Sequence, residues 1–327
     1  MKQIVIITTG GTIAMAADES SGSVLPKGSD TLKEVLPLME RYAQVTMEHL
    51  LDLPSPHMTP LDMHTISLRV TELLSSPEVD GIVITHGTDT LEETAYYLDL
   101  IVPSEKPIVL TGAMRSQDEL GADGPPNLVH AVRTAAHNRS RNRGVLVVFN
   151  DEIHAASQVT KTHTSNLATF RSPSQGPIGT VTKRDILYHR STDRYPLFPQ
   201  KKPACRVELI KATAGSDDLL IRASLASGVD GFIIEAFGAG NLPPAMLPGL
   251  KEALARKIPV VLVSRCYNGF VEDTYGYEGG GSQLKKMGLI FSNGLNGQKA
   301  RIHLLAALQK SRDPEELHLL FQRSLHD

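Results

Sequence analysis

Seven short runs of apolar, largely β-branched residues punctuate this chain: Ile4–Thr8, Gly81–Thr85, Pro107–Thr111, Val145–Phe149, Val207–Ile210, Gly231–Glu235 and Pro259–Ser264. They are apolar throughout instead of alternating, the pattern of parallel strands covered on both faces. Between them lie segments whose apolar residues recur every three to four positions. Met63, Ile66, Val70, Leu73 and Leu74 form one such stripe and Leu247, Leu250 and Leu254 another, as amphipathic helices require. A helix over Leu91–Ile101 is announced by Thr90 and Glu93 at capping-box spacing. A further helix opens at about Pro126, since proline suits the first helical turn. This alternation predicts an α/β protein with a doubly wound, mostly parallel sheet. The stretch Tyr188–Lys202 (YHRSTDRYPLFPQKK) is polar, holds two prolines and fits neither period. It reads as a linker, giving a larger N-terminal α/β domain over 1–187, a linker over 188–205 and a smaller α/β C-terminal domain over 206–327.

Composition narrows the possible functions. The 327 residues are 41% hydrophobic, enough for a buried core, and carry 33 basic against 36 acidic side chains. A formal net charge of −3 with no long basic run argues against a nucleic-acid partner. No stretch approaches the roughly 18 apolar residues of a membrane span. The opening MKQIVIITTGGT is too short in its apolar part for a secretion signal, so a cytoplasmic location is expected. Cys205 and Cys266 make no disulfide framework and have no zinc-ligand spacing around them. Twelve histidines are scattered without a His-Glu-x-x-His pattern, so neither metal nor other cofactor is expected.

In open α/β sheets active sites form outside the carboxyl ends of strands, and four polar clusters stand at such places. Thr8-Thr9-Gly10-Gly11-Thr12 follows the first run; its paired glycines suit a tight turn, and Thr12 offers a hydroxyl beside backbone donors. It matches neither phosphate-loop pattern, and a plain turn explains it as well. Thr85-His86-Gly87-Thr88-Asp89-Thr90 follows the second run. There Asp89 fits either a helix-dipole partner or a ligand for a substrate ammonium. Thr111–Ser116 with Asp123–Asn127 is rich in turn residues and reads as structural. Asp151–Ser165 carries Lys161, by itself an ordinary solvated charge, although a desolvated lysine can act as a base. His154 and His163 flank this cluster without completing a metal or triad pattern.

Together the clusters resemble the bacterial-type L-asparaginase family, through Thr8–Ala14 (TTGGTIA), Thr85–Glu92 (THGTDTLE), Thr111–Ser116 (TGAMRS), Ala122–Asn127 (ADGPPN) and Gln298–Arg301 (QKAR). The two threonine motifs, in this order and at this separation, are specific. The resemblance implies a threonine-dependent amidohydrolase of the cytoplasmic branch, which takes L-asparagine to L-aspartate and ammonia. It places the nucleophile on Thr12, a proton-handling group on Thr88, Asp89 and Lys161, and substrate binding on Ser55 and Asp89. It also implies that Asn241, from the C-terminal domain, completes the site of a neighbouring subunit in a homodimer or homotetramer, with Glu278 nearby. Two departures stand out. No tyrosine occurs where the family's lid often has one, the place reading Ser21-Gly22-Ser23-Val24, and Pro56 follows Ser55 where many members have glutamine. An amidotransferase subunit releasing ammonia for a tRNA-linked substrate is the alternative reading, although such relatives carry an extra N-terminal domain. A catalytically silent binding protein is a further one.

Overall fold

The structure, a computed structural model, describes residues 1–11, 35–191, 196–292 and 294–321, and of residues 12–34 only the backbone of two short strands. The chain forms two compact units, Met1–Thr192 and Asp193–Asp327. The first contains β1 (Gln3–Thr8), β2 (Met15–Ala17), β3 (Val24–Pro26), β4 (Gln44–His49), β5 (Gly81–Thr85), β6 (Ile108–Thr111), β7 (Val145–Phe149), β8 (Glu152–Ala155), β9 (Thr160–Lys161), β10 (Phe170–Arg171), β11 (Gly179–Val181) and β12 (Ile186–Tyr188). The second contains β13 (Val207–Lys211), β14 (Gly231–Ala236), β15 (Val260–Ser264) and β16 (Ile290–Phe291). Each of the seven apolar runs is thus a strand, although Pro107 and Pro259 stand just outside theirs because proline donates no ladder bond.

The main sheet has the order β4-β1-β5-β6-β7-β8-β11-β12. Its first five strands are parallel and the rest antiparallel. One face carries Ile4, Ile6, Val83, Val109, Leu146 and Val148, packed with Leu128, Ala131 and Val132 of the helix Gly124–Ala136. The other face is buried equally, with Ile7, Ile82, Ile84, Leu110 and Val147 at most 1% exposed, and is covered by the helices Pro60–Ser75 and Leu91–Ile101. Burial on both faces is why these strands lack alternation. The edge strand β4, QVTMEH, lacks the apolar run because much of it stays in contact with water. Tyr188, where the sequence places the start of the linker, ends β12.

The chain reverses its direction of winding at β1: β4 lies on one side of it and β5 on the other. The boundary between β1 and β5 is therefore a topological switch point, the place where open α/β sheets form their sites. One sequence expectation fails here. Thr90 is the N-cap of Leu91–Ile101 but makes no side-chain cap bond; its hydroxyl donates instead to the Ser55 carbonyl at 2.8 Å. Tertiary contact outcompetes the local box. A complete capping box occurs at Thr59 and Asp62 in the helix Pro60–Ser75, where no such competitor intervenes. The helix expected at about Pro126 begins at Gly124, with proline in its first turn.

In the second unit β13-β14-β15-β16 form a parallel sheet in chain order. Phe232, Ile234 and Leu262 pack with Ile221, Leu225, Leu247 and Leu250 of the helices Leu219–Ala226 and Leu247–Ala255. The helix Gly297–Leu308 covers the other face. Cys205 and Cys266 are free thiols. Among the described residues no helix is long and apolar enough to cross a membrane.

Candidate active site

The loops at the switch point are held too closely for ordinary side chains. The hydroxyl and amide of Thr9, just past β1, both donate to the Thr85 carbonyl at the end of β5, at 2.8 and 3.2 Å. Gly11 follows in the left-handed region, φ +86°, and a Cβ there would run into the backbone of Gly87. At Gly87 a Cβ would stand 2.7 Å from the Cβ and Oγ of Ser55. The glycines of the first two clusters thus bring three loops into one place. Thr12 is the next residue after Gly11; it and Ser21-Gly22-Ser23 lie outside the described residues.

The turn Thr88–Thr90 leaves β5 and enters the helix Leu91–Ile101. Beneath it His86 is fully buried, its Nδ1 2.8 Å from the Gly87 carbonyl and its Nε2 2.9 Å from the Thr94 hydroxyl. The carbonyl requires Nδ1 to carry the proton, and Nε2 then accepts from Thr94. Burial pushes this imidazole down from 6.5 to about 4, although the Gly87 hydrogen bond pulls the other way. His86 is therefore a neutral brace at physiological pH. Ser55 opens a short 3-10 turn and is buried. Its hydroxyl accepts from the Asp89 amide at 3.2 Å, leaving its own proton to donate elsewhere.

Lys161, far away in sequence, reaches the same turn. Its ammonium donates to Thr88 Oγ1 at 2.9 Å and to Asp89 Oδ1 at 2.7 Å. The lysine side chain is only 17% exposed, whereas Asp89 is 55% exposed and opens to the cleft. That cleft is also lined by Thr162, His163 and Thr164. Lys161 lies in β9, whose partner β10 places Phe170 opposite it. Phe170 is buried against Phe149 at the end of β7, with ring centroids 4.4 Å apart. The short ribbon is thus pinned to the sheet through an aromatic contact.

The third cluster forms a scaffold. Asp123 accepts from the amides of Met114 and Arg115 at 2.9–3.0 Å, and Asn127 donates to the Gly112 carbonyl at 3.1 Å and accepts from the Asn150 amide at 3.1 Å. Sequence reasoning missed Glu92, which is 4% exposed and binds the Thr160 hydroxyl at 2.9 Å. An acidic residue in a first helical turn reads as a solvated dipole partner, whereas here it is buried and bonded to β9.

Asn241 and Glu278 belong to the second unit. Asn241 closes a turn after β14, exchanging backbone hydrogen bonds with Phe237 at 2.9 and 3.0 Å. Its Oδ1 is buried with no hydrogen-bond partner among the described residues. Glu278 is exposed in a turn that follows Tyr275 and Tyr277, whose rings lie 5.5 Å apart and tilted by 35°.

The chain is similar to known proteins along nearly its whole length. The family described as "Asparaginase, N-terminal" matches residues 3–194, and "Glutaminase/Asparaginase C-terminal domain" matches residues 206–321. L-asparaginase 2 of Bacillus subtilis is 36% identical over 98% of this chain and 86% of its own length. L-asparaginase 2 of Escherichia coli is 36% identical over 99% and 93% respectively. The crystal structure of a probable cytoplasmic L-asparaginase from Campylobacter jejuni superposes with a TM-score of 0.89 at 32% identity, covering 99% of this chain and all of that one. With both halves matched and the relatives collinear from end to end, the chain belongs to the asparaginase family and is a hydrolase of that family.

Proposed function

We propose that this enzyme hydrolyses the side-chain amide of L-asparagine to L-aspartate and ammonia through a threonine acyl-enzyme. The observation that carries the reading is the Lys161 nitrogen held within hydrogen-bond distance of both Thr88 and Asp89, on the turn whose Gly87 packs against Gly11, the residue that precedes Thr12 in sequence. A threonine hydroxyl is a poor nucleophile at its ordinary pKa and needs a proton acceptor. In this scheme Lys161 acts as the neutral amine: the Thr12 oxygen adds to the amide carbon, its proton passes to Thr88, and Thr88 gives its own proton to the Lys161 nitrogen. The tetrahedral oxyanion collapses, the carbon–nitrogen bond breaks, and the nitrogen takes a proton and leaves as ammonia. The resulting β-aspartyl ester is then attacked by water along the same path, which returns the hydroxyl proton to Thr12.

Substrate positioning falls to Asp89 and Ser55. The exposed carboxylate of Asp89 offers a partner for the α-ammonium, and the Ser55 hydroxyl, already accepting from the Asp89 amide, has a proton for the α-carboxylate. Fixing both α-groups turns attack on the amide into an effectively unimolecular step. The names of the relatives support asparagine as the substrate, and the Campylobacter neighbour supports a cytoplasmic location. Asn241 is assigned to completing a partner subunit's site in a homodimer or homotetramer, with Glu278 beside it. The experiment is ammonia release from asparagine by the purified chain alone. Turnover without added protein or RNA is expected; ammonia release that requires a second subunit or a tRNA-linked acceptor would favour the amidotransferase reading instead.

A further inference from the structure

We propose that Glu92 is a positioning residue that sets the reach of Lys161, an inference that rests on the catalytic reading above. The two halves of the lysine cluster come from separate elements. Thr88 and Asp89 stand on the turn leading into the helix Leu91–Ile101, and Lys161 stands on the two-residue strand β9. Side-chain contact between them is a weak fastener, because an ion pair with a 55% exposed Asp89 gains little in water and does not fix a backbone. Glu92 supplies the stronger link. It lies in the first turn of the helix that begins just after Asp89, so it moves with Thr88 and Asp89. Its Oε1 accepts from the Thr160 hydroxyl at 2.9 Å and from the Lys161 amide at 3.3 Å. One buried carboxylate therefore grips the backbone of the lysine it serves, on the side of β9 away from β10.

The placement is chemically economical. A carboxylate that is 4% exposed is costly to bury without donors. The free amides of a helix N-terminus favour negative charge there, and the hydroxyl and amide of β9 add charge-assisted hydrogen bonds. With Phe170 anchoring β10 and Glu92 anchoring β9, the lysine tip is delivered to Thr88 by two fixed points. Glu92 touches no reacting atom in this scheme, and its effect passes through Lys161 alone.

The test compares kcat and KM for asparagine in wild type, Glu92→Ala, Glu92→Gln, Thr160→Val and Lys161→Met, each assayed well below its own melting temperature. Glu92→Ala is expected to lower kcat about 100-fold, the size of effect that a misplacement of about 1 Å produces, with KM within about threefold. Glu92→Gln keeps an acceptor at Oε1 and is expected to recover kcat to within about fivefold of wild type, since position and not charge is what it supplies. Thr160→Val removes the Thr160 hydroxyl donor and is expected to fall between them. A purely structural role would follow thermal stability and would not spare KM. The inference is overturned if Glu92→Ala stays within about threefold of wild type, if Glu92→Gln is as impaired as Glu92→Ala, or if the loss falls on KM. Should Glu92→Ala fail to fold, an unchanged kcat in Thr160→Val, or a Glu92→Gln as inactive as Lys161→Met, overturns it equally. Failure of the underlying reading looks different: wild type itself would release no ammonia, or Lys161→Met would remain active.

Discussion

At the scale of single residues, chemistry here depends on where polar atoms are held. Asp89 and Ser55 are tied together through the Asp89 amide, so the groups proposed to bind the α-ammonium and the α-carboxylate are held relative to each other by a hydrogen bond between two turns. Glutamine is one methylene longer than asparagine. With both α-groups clamped, its amide carbon overshoots the nucleophile, and an error of about 1 Å costs on the order of 100-fold. The specificity constant for glutamine is therefore expected to be lower than that for asparagine by roughly that factor. Equal values in a coupled ammonia assay would refute the clamp. These residues were unevenly legible in the sequence. Thr88 is not explained by the capping-box pattern at Thr90 and Glu93, whereas Asp89 reads equally well as a helix-dipole partner. Lys161 by itself was an ordinary surface charge, and only the family resemblance singled it out, because its partners lie more than 70 positions earlier. Glu92 closes the THGTDTLE motif but has no role legible there, since its contact with β9 joins elements remote in sequence.

At the scale of elements, the parallel strands were legible because burial on both faces leaves only apolar residues. The edge strand β4 and the short antiparallel strands β8, β11 and β12 were not, being partly wetted or too brief to show a period. The Thr90 capping box was misread because the Ser55 carbonyl, brought in by tertiary folding, takes the hydroxyl. Two histidines fasten elements in a way that makes stability depend on pH. His86 joins the β5 turn to the helix Leu91–Ile101, and His303 in the helix Gly297–Leu308 sits 2.9 Å from the Leu320 carbonyl of the last described helix. Burial holds both imidazoles down to about 4 from 6.5. Between those values the unfolded chain binds a proton at each site and the folded chain does not. Stability is therefore fully present above about 6.5 and is lost as pH falls toward 4, on the order of a few kcal/mol per histidine. Urea unfolding at pH 7.5 and pH 5 measures this. His86→Gln and His303→Gln should each flatten the dependence, and a wild-type curve flat over that interval would contradict the assignment.

At the scale of the whole molecule, the assignment of Asn241 to a neighbour's site makes activity a property of the assembly. The Asn241 amide oxygen is buried with no donor among the described residues, and leaving such an atom unpaired costs about 1–3 kcal/mol, so a donor from a partner or substrate would be favoured. Thr12→Ala retains Asn241 but has no nucleophile, and Asn241→Ala has the nucleophile but an incomplete site. Mixed and allowed to exchange subunits, the two inactive proteins should regain part of the wild-type rate, because some hybrid sites combine an intact Thr12 with an intact Asn241. Confirmed exchange without recovery, or full activity in a verified monomer, would remove Asn241 from the site. The central claim is that the Lys161–Thr88–Asp89 cluster handles the proton for a Thr12 nucleophile. Its most direct test is kcat for ammonia release from asparagine by Thr12→Ala, Thr88→Val and Lys161→Met, with folding checked by circular dichroism. Residues that act as one catalytic unit fail together, so each variant should lose about three orders of magnitude or more while staying folded. A folded Thr88→Val or Lys161→Met that keeps more than about a tenth of the wild-type kcat would contradict the account.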